Sequence, residues 1–425
     1  MSAVDCHRAI DAVWRIEAAK VIAGLTRIVR DVGLAEDFAQ EALVNALEQW
    51  PASGIPSNPG AWLMAAAKRR AIDYFRRNQS AERRHEEIGR SLLAVERSHP
   101  DFDAPLDDPI GDDLLRLIFI ACHPVLSTEA RAALTLRVVG GLTTDEIARA
   151  FLIPEPTIAQ RIVRAKRTLA EKQIPFEVPR GLDLSARLKS VMEIIYLIFN
   201  EGYSATAGQD LMRISLCEEA LRMGRILAEL EPREPEVHGL VALMEIQSSR
   251  SRARVDVGGE PILLLDQNRA KWDRLLIHRG LAALERAARL SDRKGPYRLQ
   301  GEIAACHARA LTAEETDWDR IVSLYTELSE ICPSPIVDLN HAVAVSMASG
   351  PQVALGLLDP LLAHPLMQNY HLMPSVRGDL LARLGRHAEA SVEFSRAASL
   401  TRNSREQKLL VERSRVSEEK ARNSA

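Results

Sequence analysis

Apolar positions recur at threes and fours along most of the chain. Ile10, Val13, Trp14, Val21, Leu25 and Ile28 follow this spacing, as do Ala42, Leu43, Ala46 and Leu47, and again Leu114, Leu117, Ile118 and Ala121. That period places side chains on one face of an α-helix. Strict alternation, the mark of a half-buried strand, is almost absent. The one strand-like run is Ile262-Leu263-Leu264-Leu265, just after Gly258-Gly259. The pattern predicts an all-α protein. Aromatics make up only 4% of the residues, so the cores must rest on Leu, Ala, Ile and Val, a mix that suits helices better than strands.

Breaks in the pattern divide the chain. Its 425 residues exceed one small core and predict two to four domains of roughly 100–200 residues. Pro51 to Gly60 reads as a Pro/Gly/Ser loop inside the first helical block. Glu96 to Asp113 is poorly periodic and Asp-rich, with Pro100, Pro105 and Pro109, and reads as a flexible acidic linker. A second linker falls near Ile174 to Gly181, with Pro175 and Pro179; beyond Leu184 the helical spacing resumes, broken near Arg250 to Pro261. Near the C-terminus, Gly350-x-x-x-Ala354 and Gly385-x-x-x-x-Ala390 mark two similar helix pairs 35 residues apart. The fragment Leu384-Gly385-Arg386-His387, with Ala390 and Phe394 following, looks like half of a tetratricopeptide repeat, whose period is about 34 residues. The expected divisions are a first helical domain over 1–95, the acidic linker over 96–112, a second domain over 113–173, a linker over 174–183, a helical extension over 184–290 and repeat-like helices over 291–425.

The sharpest local feature runs from Leu142 to Leu169. Thr143-x-x-Glu146 is a capping box that opens a short helix, and Ile147 and Ala148 give that helix an apolar face. Ile153-Pro154-Glu155-Pro156 makes a turn, proline being tolerated in a first helical turn. Ile158, Ile162, Ala165 and Leu169 then form one stripe, with Gln160, Arg161, Arg164 and Arg167 away from it and Lys166 near its edge. A buried stripe backed by guanidinium and amide groups suits a helix in the DNA major groove. A solvated basic surface helix would share that face but not the capped helix and tight turn before it.

The N-terminal block carries two further faces. Asp37, Gln40, Glu41 and Asn45 share one side of an acidic helix by i, i+3, i+4 spacing. After the loop, Ala61 to Arg77 is a helix whose later turns are basic and interleaved with aromatics. Cations there can follow phosphates, and the rings of Trp62, Tyr74 and Phe75 can either stack on unpaired bases or fill a core.

An acidic helix, a loop, a Trp-Leu basic helix, a linker and a helix-turn-helix together resemble an extracytoplasmic-function sigma factor over roughly Ile10 to Lys172. Glu36-Asp37-x-x-Gln40-Glu41 resembles the family's polymerase-binding helix. Trp62-Leu63 followed by Asp73-Tyr74-Phe75-Arg76-Arg77 resembles its −10 promoter-melting helix, and Leu142 to Leu169 resembles its −35 recognition domain. The resemblance implies that Asp37, Gln40, Glu41 and Asn45 dock on the clamp helices of the largest catalytic polymerase subunit. It implies that Asn58 in the loop, with Trp62, holds a flipped −10 base beside Arg69, Arg70, Arg76 and Arg77. It further implies that Gln160 and Arg164 read the −35 element with Arg161 and Lys166 on its backbone, Thr157 and Arg167 belonging to the same DNA-binding set. Many members carry Asn seven residues after the Trp, where Arg69 stands here, and a small residue just before the recognition Thr, where this chain has Pro156. Both departures bear on promoter sequence rather than on class.

The extension also resembles a segment carried by some sigma factors of this type in place of a dedicated anti-sigma partner. Tyr196-Leu197-Ile198-Phe199-Asn200-Glu201-Gly202-Tyr203, Leu264-Leu265-Asp266-Gln267-Asn268-Arg269-x-x-Trp272-Asp273 and Pro333 to Asn340 carry that likeness. It implies a regulatory domain whose repeat-like end receives a protein or peptide partner. An enzyme would have to use scattered groups such as His278, His307, His341 and His371, and the chain has no His-Glu-x-x-His, phosphate-binding Gly loop or Gly-x-Ser-x-Gly. No catalytic residue, metal or cofactor is expected. A stand-alone helix-turn-helix regulator with a helical sensor domain is the alternative; it would have no use for the N-terminal block.

Charge and cysteine change little. The net charge of −3 makes local patches matter more than the total. Cys6, Cys122, Cys217, Cys306 and Cys332 are an odd, scattered set and read as reduced thiols. No run approaches the roughly 20 apolar residues of a membrane span, and Met1 to His7 lacks a basic stretch followed by an apolar one. A cytoplasmic protein is the expectation.

Overall fold

A computed structural model of the chain describes residues 3–86, 110–151, 153–179, 182–205 and 207–424. Most of the expected acidic linker lies outside them. The chain forms two compact units, residues 1–194 and 195–425.

The first unit opens with three long helices: α1 (Ala3–Val29), α2 (Val32–Ser53) and α3 (Pro59–Glu86). In α1, Ile10, Val21, Leu25 and Ile28 are buried, while Val13 and Trp14 are only partly covered. The Asp31 side chain caps α2 by accepting from the Leu34 N–H at 2.9 Å. The buried stripe of α2 runs through Val32, Ala35, Phe38, Ala39, Ala42, Ala46 and Trp50. α2 ends on Gly54, at φ 82°, whose N–H returns to the Trp50 carbonyl. Only glycine adopts that conformation without strain.

The loop expected from Pro51 to Gly60 is therefore shorter. Pro51 lies in the last turn of α2, and Pro59 and Gly60 lie in the first turn of α3, leaving residues 54–58 as the connection. Pro59 costs α3 nothing, because the first helical N–H groups have no intrahelical acceptor.

Four shorter helices follow: α4 (Ile110–Ala121), α5 (Thr128–Val138), α6 (Thr144–Phe151) and α7 (Glu155–Glu171). Residues 110–113, at the end of the stretch read as acidic linker, form the first turn of α4. There Asp113 is buried and holds Arg27 of α1 at 3.0 Å and Arg116 at 2.7 Å. Leu114, Leu117, Ile118 and Ala121 are buried as their spacing predicts.

Next comes α8 (Leu182–Tyr203), inside which the two compact units divide. Its first half belongs with α4 and α5. Arg187 donates to the Phe119 carbonyl at 2.6 Å, Ser190 donates to the Cys122 carbonyl at 3.0 Å, and Arg131 donates to Ser190.

The second unit is a run of helices: α9 (Ile214–Leu230), α10 (Pro235–Ser249), α11 (Arg274–Leu290), α12 (Pro296–Arg309), α13 (Trp318–Ile331), α14 (Pro335–Ala348), α15 (Pro351–Leu362), α16 (Pro365–Gln368), α17 (Leu372–Arg383), α18 (His387–Leu400) and α19 (Ser404–Ser424). Neighbours in sequence pack on one another through most of the run. α10 and α12 approach closely at Gly239, where an added Cβ would sit 2.6 Å from the Arg298 backbone nitrogen. Towards the C-terminal end the two Gly and Ala pairs noted in the sequence share local features. Gly350 and Gly385 both take positive φ, 97° and 77°, just before α15 and α18, and Ala354 and Ala390 are both fully buried. Phe394 joins Leu358, Leu380 and Leu381 in the same core cluster.

The strand-like reading of residues 262–265 is overturned. Leu264–Asp266 is a 3₁₀ turn, with Leu263 and Leu265 more than two-fifths exposed. Pro261 lacks the N–H that a ladder needs, and only an isolated bridge joins it to Val255. Extended pairing occurs elsewhere: Ala207 and Gly208 run parallel to Arg402 and Asn403. The Asn403 side chain is wholly buried and donates to the Ala205 and Asp210 carbonyls at 3.1 and 2.8 Å.

Candidate functional site

The first unit presents three of the faces the sequence predicts. On α2, Asp37 and Glu41 are exposed, and Gln40 and Asn45 are partly covered. One turn-neighbour is missing from that expectation. Glu36 is only 2% exposed and is the buried carboxylate of the region. Its Oε1 accepts from Arg137 Nε of α5 at 2.6 Å and from Gln40, and its Oε2 pairs with Lys166 of α7. The signal was present: Glu36 stands four residues after Val32 and three before Ala39, inside the buried stripe of α2.

On α3, Arg69, Arg70, Arg76 and Arg77 are exposed along the basic turns. Arg70 faces Glu41 of α2 at 3.4 Å, so the two predicted faces touch. Trp62 is half-buried with its ring edge-on to buried Trp50, centroids 5.2 Å apart. Tyr74 is 39% exposed and packs edge-on against Phe38 at 5.5 Å and Phe75 at 5.4 Å. The rings thus form two partly covered clusters, Trp50 with Trp62 and Tyr74 with Phe38 and Phe75. Asn58 is exposed, but its side-chain oxygen accepts from the Ala61 N–H at 3.0 Å, so it caps the start of α3.

The helix-turn-helix is built as its residues dictate. The Glu146 carboxylate accepts from the Thr143 N–H at 2.9 Å, and the Thr143 hydroxyl accepts from the Glu146 N–H at 3.1 Å, the reciprocal capping box. Arg15 of α1 also reaches Glu146 at 2.6 Å. Ile147 and Ala148 are buried, as are Ile158, Ile162, Ala165 and Leu169, the full buried set of α7. Gln160, Arg164 and Arg167 point to solvent, with Thr157 and Arg161 partly covered. Arg167 is held by Glu171 at 2.6 Å. Lys166 differs from the other cations: its side chain is 18% exposed and its ammonium turns inward to Glu36, with Asp37 at 3.5 Å.

In the second unit the candidate enzymatic groups do not converge. His278 is exposed, His307 is buried, and His341 and His371 are partly covered, the four lying on four different helices or their ends. Glu201 is paired with Arg213. Among the described residues no group of His, Cys, Asp or Glu is placed to hold a metal ion, and no helix is long and apolar enough to cross a membrane.

Comparison with known proteins follows the same divisions. Sigma-70 region 2 matches residues 15–81, Sigma-70 region 4 matches residues 116–169, and a family of unknown function (DUF6596) matches residues 187–288. The chain is 43% identical to an uncharacterized protein of Rhizobium meliloti (strain 1021) over 395 residues, 91% of this chain and 90% of that protein. It is 33% identical over 147 residues to the ECF RNA polymerase sigma factor SigK of Mycobacterium bovis (strain BCG / Pasteur 1173P2), 34% of this chain and 74% of that protein. It is 28% identical over 172 residues to the probable ECF RNA polymerase sigma factor SigI of Mycobacterium tuberculosis (strain ATCC 25618 / H37Rv), 40% of this chain and 58% of that protein. Two sigma regions in the family's order, each on the helices described above, and a SigK relative matched over most of its length lead to one conclusion: the chain belongs to the extracytoplasmic-function sigma factors, which direct RNA polymerase to promoters.

Proposed function

We propose a division of labour among the named residues. Asp37, Gln40, Glu41 and Asn45 contact core RNA polymerase. Trp62 with Asn58 and the arginines 69, 70, 76 and 77 engage the −10 element. Thr157, Gln160 and Arg164 read the −35 element from the major groove, while Arg161, Lys166 and Arg167 hold phosphates. The observation that carries the −35 part is α7 itself, whose stripe of Ile158, Ile162, Ala165 and Leu169 is buried while Gln160 and Arg164 stand in solvent. A stand-alone regulator would not need the Sigma-70 region 2 segment at residues 15–81.

The extension sets whether initiation occurs and performs no catalysis; the protein works in the cytoplasm. Run-off transcription with purified core polymerase, on a promoter selected from pooled genomic fragments, tests this. Full-length protein is compared with a version lacking the extension. A chain cut near Lys172 would strip Arg187 and Ser190 from the carbonyls of Phe119 and Cys122, so the shortened protein should retain residues through 194. Polymerase-dependent initiation by the full chain is expected, together with a clear difference in the shortened one. Site-specific binding without polymerase, and no initiation by either form, would sink the reading.

A further inference from the structure

Arginine is costly to bury unless its charge is met, and its five N–H donors ask for acceptors. In the second unit, Arg250, Arg254 and Arg269 form no ion pair within 4.0 Å with any carboxylate of the described residues. They sit close enough to act on one another, Arg250 facing both others. Two nitrogens of Arg269 are met by neutral acceptors, Nη1 by the carbonyls of His307 and Ala310 at 2.9 and 3.0 Å and Nη2 by Thr316 Oγ1 at 2.8 Å, while its Nε is buried without a partner. It is a staple.

The other two meet fewer acceptors. Arg250 has two long contacts to side-chain amide oxygens, Gln267 and Gln247, both at 3.3 Å, and lies 5.3 Å from the Trp272 ring centroid. Arg254 gives one bond to the Tyr203 carbonyl and lies 3.7 Å over the Tyr203 ring. The Tyr203 hydroxyl is itself buried without a hydrogen-bond partner.

Both arginines line a cleft of about 230 Å³ formed by residues 250–267 with the starts of α17 and α19. Its lining also includes the apolar Ile262, Leu264, Leu372, Leu409 and Leu410 and the polar Gln267, His371 and Ser375. Its one lining acid, Glu406, is engaged by His371 at 3.2 Å and by the Thr401 hydroxyl at 2.9 Å, and its charge is felt by Arg254 without an ion pair within 4.0 Å. Arg413, also at the rim, is held by Asp379. The cleft therefore combines two arginines that have unused donors with apolar side chains. Burial and the neighbouring arginines hold the His307 imidazole down at about 3, a second sign of a positive local field.

We propose that this cleft binds a small amphipathic oxyanion, a carboxylate or phosphate gripped by Arg250 and Arg254 with a short apolar body against Leu264 and Leu409. Guanidinium forks match both groups in geometry and charge. The volume is below the roughly 300–1,000 Å³ of drug-sized sites, so the ligand is short. Its seat joins the 250–267 segment to α17 and α19, which gives the extension a means of responding to a metabolite.

Titration calorimetry on the full-length chain tests this with three probes: hexanoate, inorganic phosphate and the neutral hexanamide. Saturable binding of hexanoate at one site is expected, with hexanamide weaker by roughly tenfold or more because it lacks the charge. Displacement of hexanoate by phosphate would assign a phosphate ester; failure to displace it would assign a carboxylic acid. Arg254→Met and Arg250→Met should each abolish hexanoate binding, and the exposed Arg289→Met should not. Leu264→Trp, which fills the cleft and keeps both charges, should abolish it as well and guards against loss of fold in the arginine variants. Equal binding of hexanoate and hexanamide, or binding of neither anion, overturns the proposal.

Discussion

Arg137 Nε of α5 lies 2.6 Å from Oε1 of Glu36 on α2, a carboxylate only 2% exposed, and Lys166 of α7 closes on the other oxygen. The helix proposed to dock on polymerase is thus tied to the helix-turn-helix at the residue beside Asp37. Two cations on one buried anion leave each partner dependent on it. Glu36→Gln removes the charge and strands two largely covered cations. Breaking a fully buried pair costs about 3–5 kcal/mol. Because Arg137 and Lys166 keep 19% and 18% exposure, a loss of about 2–3 kcal/mol is expected here. Lys166→Met leaves the Arg137 pair intact and should cost less. Urea unfolding of the three proteins checks the order; a Lys166→Met loss as large as that of Glu36→Gln would contradict it.

The same pairs compete with the proposed contacts to polymerase and DNA. Asp37 and Lys166 face each other at 3.5 Å, so the proposed contacts require them to exchange this one for external partners. Raising salt weakens such partly exposed pairs. Amide hydrogen exchange across α7 should rise when core polymerase binds the full chain at low salt. Unchanged or lower exchange would mean that the pairing persists in the complex.

Gln160 and Arg164 are exposed and carry none of the fold. Gln160→Ala and Arg164→Ala should therefore leave thermal stability within about 0.5 kcal/mol of the parent. Each should relax discrimination at one −35 position by about 1–3 kcal/mol. Arg167→Ala should instead weaken binding to all sequences alike. Competition transcription with single-base −35 variants distinguishes these; uniform loss in all three variants would remove base reading from α7.

The short α6 depends on its cap. Thr143→Ala deletes the hydroxyl that accepts from the Glu146 N–H, while the bond from the backbone N–H of residue 143 to the Glu146 carboxylate remains available. A cost of about 1 kcal/mol is expected. Thr143→Ser should restore most of it. A serine variant no more stable than alanine would show that the threonine methyl, and not the cap, carries the effect.

These features differ in how far the sequence discloses them, and the difference is one of range. The capping box spans three residues and the α7 stripe eleven, so both are local consequences of helical period. The repeat of Gly350 and Gly385 was legible for the same reason, since each glycine answers a backbone demand at its own position. The partners of Glu36 were not, because Arg137 lies 101 residues away and nothing local selects it. The 262–265 run misled because four apolar residues carry no period, and the turn there is set by Pro261 and by the bond from Gln267 to the Ile262 carbonyl at 3.1 Å. The arginine-lined cleft assembles segments from Arg250 to Arg413 and had no linear trace.

The buried histidine beside that cleft gives the extension a pH signature. His307 is 8% exposed, packs edge-on to Trp318 at 5.2 Å, and has its Nδ1 buried without a partner. Burial first, then Arg250 and Arg269, lower its pKa from 6.5 to about 3. Above pH 6.5 the imidazole is neutral in both folded and unfolded chains, and its full contribution to stability is present. As pH falls from 6.5 toward 3 the unfolded chain takes up a proton that the folded one refuses, so stability is lost. The slope reaches at most about 1.4 kcal/mol per pH unit, and a loss on the order of 1–2 kcal/mol is expected between pH 7 and pH 5. His307→Gln cannot titrate; it should be less stable than the parent at pH 7 but should lack this component of the acid loss. Urea midpoints of the second unit at both pH values measure the difference. An equal drop in the two proteins would show that His307 is charged in the folded extension or that other groups govern its acid response.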